Sequence, residues 1–93
     1  MAKQHYIESS NALENAQVML DMCRTEYERA GHAVAVQDLR GLDVTSEASA
    51  QLALSVVYRL PTASEELMSL RQCALQAVRE AFRYFQPQLA IAS

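Results

Sequence analysis

The side chains best suited to hold a metal are Cys23, Cys73, His5 and His32, because zinc takes thiolate and imidazole ligands tetrahedrally. Structural zinc sites draw their ligands in close pairs, whereas the nearest two here, Cys23 and His32, stand nine positions apart. No metal and no cofactor is therefore expected. A cysteine nucleophile needs a neighbouring base and positive surroundings, and Cys23 instead has Asp21 and Glu26 close by, which hold its thiol protonated. The carboxylate pairs Glu26/Glu28 and Glu65/Glu66 lie too close in sequence to face each other across a helix, so they do not form an acid–base pair. Gly31 and Gly41 stand alone, and the chain has no glycine-rich phosphate loop. These absences point to a protein that is not an enzyme.

Binding chemistry is better represented. Seven of the eight basic residues are arginine, which with tyrosine is enriched at protein interfaces where lysine is depleted. Near the end of the chain Gln72, Gln76, Arg79, Arg83 and Gln86 share one polar face at helical spacing. Phe82, Tyr84 and Phe85 fall within the same two turns and point around much of the circumference, so at least one faces away from a simple core. Arg79, Arg83, Phe82, Tyr84 and Phe85 are accordingly the expected partner-binding residues. The second choice lies around Asp21, Arg24, Tyr27 and Glu28.

The elements that must carry these groups read as helices. Leu13, Ala16, Leu20, Cys23, Tyr27 and Ala30 recur at 3-4 spacing from Tyr6 and Ser9, with Val18, Met19 and Met22 widening the stripe. With Asn11 and Glu14 as a capping box and Gly31 past the C-terminus, the first helix is expected over about 9–30. Residues 32–44 read as a connector. Ser46 and Thr45 offer caps for a shorter helix over about 46–60, buried between the two long ones. Leu52, Leu54, Val56, Tyr58 and Leu60 also alternate as a strand would, so the alternative fold is α+β with short strands at 33–37 and 52–60. Pro61 ends this element, Thr62 to Glu65 reads as a capping box, and the last helix is expected over about 63–86. Its core stripe is Leu67, Leu70, Ala74, Ala77, Ala81 and Tyr84, flanked by Met68, Leu75, Val78, Phe82 and Phe85. The fold expected is a single all-α domain of three helices over 1–93, with tails at 1–5 and 88–93 that fray.

Ninety-three residues suffice for one domain only, and 22 of them are Leu, Ile, Val or Phe, so the core is thin for the length. A second copy would help to cover the stripes. A homodimer is therefore expected, with Leu13, Leu20, Cys23, Tyr27, Leu67 and Leu70 as its dimer or core stripe. The formal charge of −3 gives no general attraction to nucleic acid or an anionic membrane, and no apolar run is long enough to span a bilayer or act as a signal peptide. A cytoplasmic protein is expected. Residues 39–60 nonetheless resemble the turn and second helix of a helix-turn-helix DNA reader. The reading helix would carry one basic residue, Arg59, and Ser49 would occupy a position that is normally apolar. The leading reading is a non-enzymatic interaction module, a small regulator, anti-activator, chaperone or inhibitor, that buries a helical face on another protein. The alternatives are a DNA-binding regulator through 39–60 and a small-molecule-binding helical dimer.

Overall fold

A computed structural model describes the backbone of residues 2–85 and the side chains of residues 11–85. The described residues form four helices, α1 (Ala2–Arg29), α2 (Ala33–Leu39), α3 (Glu47–Tyr58) and α4 (Glu65–Tyr84). The all-α class is as expected, the number of helices is not, and the described residues contain no strand. Residues 33–37, expected as connector or strand, are helical. Residues 88–93 and Gln86 lie outside the described residues.

Each helix packs on its neighbours in sequence, and α4 closes the ring by packing extensively on α1. α3 therefore does not lie between two long arms. It rests on α4 and α2, while α1 and α4 meet directly. At 1.5 Å per residue, the 28 residues of α1 span about 42 Å. That matches the 43 Å long axis of the molecule, whose other dimensions are 24 and 20 Å.

The helix ends follow local chemistry. Gly31 has φ +84°, and the end of α1 is a Schellman motif in which His32 N–H donates to the Tyr27 carbonyl at 2.9 Å and Gly31 N–H to that of Glu28 at 3.0 Å. Asn11 and Glu14 lie inside α1 and do not begin it, since the helix already runs from Ala2. α2 is followed by a turn in which Leu42 N–H donates to the Leu39 carbonyl at 3.3 Å. Arg40 is extended there (φ −64°, ψ 132°) and Gly41 has φ +75°, the type II pattern that needs glycine third. Ser46 caps α3, accepting from Ser49 N–H at 3.1 Å while the Ser49 hydroxyl accepts from Ser46 N–H at 3.0 Å. At α4 the cap is Ser64 and not Thr62, with its hydroxyl accepting from Leu67 N–H at 3.2 Å.

The core consists mostly of small side chains. Ala16, Ala35, Ala50, Ala53, Ala74, Ala77 and Ala81 are all buried, and the largest fully buried residues are Tyr27, Val57, Val78 and Cys23. Alanines at facing positions let helix axes approach closely, but each contributes little buried apolar area. Tyr27 is the largest single apolar contribution at one end of the bundle. Its hydroxyl donates to the Pro61 carbonyl at 2.6 Å, and its ring meets that of His32 edge-on at 5.7 Å between centroids.

Candidate protein-docking surface

The residues expected to bind a partner do not form one patch. Phe82 and Phe85 are half-buried and pack against the core, so they serve the fold as much as any partner. Tyr84 is 45% exposed and meets Phe85 edge-on at 5.3 Å. Arg79 and Arg83 are exposed and line a shallow groove of about 260 Å³ on α4 with Gln72, Cys73, Leu75, Gln76 and Glu80. Arg83 also reaches Glu80 at 3.4 Å, an exposed pair of small energetic worth. The arginines thus line the groove, while the three aromatics spread around the helix on either side of it.

A second surface is built by α1 and α4 together. Asn11, Asn15, Val18 and Met22 stand at helical spacing on α1, and Cys73, Ala77, Glu80 and Tyr84 do the same on α4. Between these rows runs an open cleft of about 660 Å³ lined by Asn11, Ala12, Glu14, Asn15, Val18, Ala77 and Glu80. Its cause is local, because Ala12 and Ala77 put a methyl group on each helix where a larger side chain would fill the space. Val18 and Met22 are 51% and 46% exposed beside it. On α4, Tyr84 is exposed one turn beyond Glu80. Sequence periodicity assigned Val18 and Met22 to the margin of the core stripe. The signal that separates them is a second stripe at positions 11, 15, 18 and 22, offset from the one at 13, 16, 20, 23 and 27.

The expected dimer or core stripe is internal in this chain. Leu20, Cys23, Tyr27 and Leu67 are buried, and Leu13 and Leu70 pack on them partly exposed. In the second-choice surface Asp21, Arg24 and Glu28 are exposed while Tyr27 is fully covered. Met68, expected to flank the α4 core, is 44% exposed, whereas Val78 is fully buried.

The thiols differ in accessibility. Burial pushes Cys23 up to about 11, helped by the nearby Cys73, while Cys73 itself is exposed. Burial likewise raises the Tyr27 phenol, with Cys23 adding to the effect and Arg71 opposing it. Both groups are neutral at ordinary pH. Asp43 is held below the usual carboxylate value by the Thr45 backbone N–H, then by the Ser49 and Thr45 hydroxyls. That is the signature of a loop-fixing turn, with Thr45 N–H at 3.2 Å and Thr45 Oγ1 at 2.9 Å from the carboxylate. Among the described residues no three His, Cys, Asp or Glu side chains are grouped so as to hold a metal ion.

The segment resembling a DNA reader has the preceding helix that such a motif needs, since α2 forms. Its loop runs from Arg40 to Ser46, and Arg59 stands as C-cap at the far end of α3 with Nε on the Ser55 carbonyl at 3.3 Å. Exposed along α3 are Glu47, Ala48, Gln51, Leu52, Ser55 and Tyr58, which offer little to a phosphate backbone. Arg71 covers the Tyr58 ring at 5.5 Å and donates to the Tyr58 carbonyl at 2.8 Å, fixing α4 to the end of α3. No described helix is long and apolar enough to cross a membrane. No protein-family model, no curated protein and no solved structure matches the chain.

Proposed function

We propose that this chain is a non-enzymatic interaction module that works by burying a helical face on another protein. The observation that supports this reading is the open α1–α4 cleft with Val18 exposed at its edge and Met22 exposed one turn further along the same face of α1. Scattered exposed hydrophobics need no explanation, but an apolar-floored helix–helix cleft with exposed hydrophobics continuing along one wall is the arrangement that a helix-in-groove partner uses. The arginine stripe of Arg79 and Arg83, on the adjoining face of α4, extends the surface with groups suited to carboxylates on a partner.

The test is site-specific photo-crosslinking in cell extract, with a photoreactive residue at position 18 and a control at Arg24 on a different face of α1. Proteins captured at position 18 alone are identified by mass spectrometry, purified and titrated against the wild type and a Val18→Asp/Met22→Asp variant. Saturable binding that the variant loses, with its helicity and melting temperature kept, supports the module. Equal capture at both positions, or a purified partner that binds the variant as well as the wild type, overturns it.

A further inference from the structure

We infer that the α1–α4 cleft accepts an amphipathic helix whose apolar stripe is flanked by lysine or arginine, an inference that rests on the interaction reading above. The floor of the cleft is apolar, formed by Ala12 and Ala77 with Val18 at one edge. Its charged groups among the described residues are acidic, Glu14 on the α1 wall and Glu80 on the α4 wall, and Asn11 and Asn15 supply amides beside them. Among the described residues, no positively charged side chain lines it. Two carboxylates on opposite sides of an apolar trough favour a ligand with small apolar side chains facing the floor and cations on both flanks. Arg83 neutralises Glu80 only weakly, at 3.4 Å with both side chains more than half exposed, and leaves it able to exchange partners. Glu14 has no charged partner among the described residues, and the chain as a whole carries −3.

A second copy of this chain fits less well. A two-fold axis through the cleft would bring Glu14 and Glu80 of each copy towards the same two carboxylates of the other, and like charges across an interface select against it. One docked helix covers less than the about 800 Å² per partner of a standard interface, so binding near or weaker than micromolar is the natural range.

The probe is an 18-residue helical peptide with a leucine and alanine stripe flanked by lysines, compared with the same peptide carrying glutamate at every lysine. Binding to ¹⁵N-labelled full-length protein is followed by chemical-shift perturbation up to about 1 mM peptide. The lysine peptide is expected to saturate, moving the amides around Asn15, Val18, Ala77 and Glu80. The glutamate peptide should not bind. Glu14→Gln and Glu80→Gln should each weaken binding about two- to fivefold, and raised salt should weaken the wild-type complex while narrowing its advantage over both variants. Three results overturn the inference: the glutamate peptide binds the cleft as tightly, the lysine peptide fails to bind by about 1 mM, or its shifts fall elsewhere. A concentration-dependent dimer in sedimentation equilibrium that Val18→Asp dissociates would assign the cleft to a second copy and overturn it as well. The first of these results leaves the interaction module standing and removes only the charge of its ligand. If instead the crosslinking at position 18 fails while the lysine peptide binds as expected, the module falls and the cleft chemistry remains.

Discussion

Two regions along α1, its C-terminal end and its middle, are built differently. Where α1 ends, Tyr27 is fully buried, its hydroxyl is paired with Pro61, its ring meets His32, and the backbone closes through the Schellman turn at Gly31. Some three turns earlier along α1, the seam with α4 opens into a cleft with Val18 exposed at its edge. The first region uses a large side chain to fill space, and the second uses alanines that leave space unfilled. The first region is filled and capped, and the second leaves apolar side chains in solvent.

The sharpest way to break this contrast is Tyr27→Ala. Removing a large buried aromatic side chain costs about 3–5 kcal/mol, and it also leaves the Pro61 carbonyl without its donor. Urea unfolding should show the loss as a lowered midpoint, and Tyr27→Phe, which removes only the hydroxyl, should cost about 1–2 kcal/mol. A change below about 1 kcal/mol for the alanine variant would mean that the closed end does not carry the fold.

An alkaline titration probes the same end through ionisation. Cys23 is raised in the folded state from an ordinary 9.0 to about 11, so the unfolded chain loses its thiol proton first. The stability this group supports is fully present below pH 9 and falls as pH rises towards 11. Cys23→Ser should flatten that fall in melting temperature between pH 9 and 11, and an unchanged slope would count against a buried thiol. At neutral pH a thiol reagent should modify exposed Cys73 rapidly and Cys23 only at the rate of unfolding.

Gly31→Ala isolates the backbone. A Cβ at this position meets nothing within 4 Å, so any loss comes from the left-handed conformation at φ +84° and should be about 1–2 kcal/mol. The smallest effect belongs to the open seam. Val18→Ser with Met22→Ser should shift stability by no more than about 0.5 kcal/mol. A larger loss would mean that the seam is part of the core.

The long helices were legible because a 3-4 stripe over six or more turns is hard to imitate by chance. Their boundaries were less so, as the inward shift of the cap from Thr62 to Ser64 illustrates. Hydroxyls at both positions can cap, and only the packing of Leu67 against the core chooses between them. α2 was missed for a physical reason. Seven residues make under two turns, too few to show a period, and Ala33, Val34, Ala35 and Val36 alternate weakly as a strand might. Its stability is tertiary, supplied by Ala35, Val36 and Leu39 packing into the core. The strand reading of 52–60 failed because alternation is not burial: Leu52 and Tyr58 are 56% and 64% exposed, and the buried set is Ala53, Val56, Val57 and Leu60. For the surface, the arginine stripe was readable from spacing. The cleft was not, since it needs the relative register of α1 and α4, which no local pattern encodes.

The bond from Tyr27 to Pro61 joins positions 34 residues apart, and it does so where α1 stops and just before α4 starts. A segment whose two ends are held together in this way cannot open piecemeal. Tyr27 shares one buried cluster with Ala35, Val36 and Leu39 of α2 and Val57 of α3, so an opening that breaks its bond to Pro61 also disturbs their packing. In amide hydrogen exchange these stretches should therefore behave as one cooperative unit, with α2 exchanging through the same opening as the end of α1 despite being too short to hold a helix by itself.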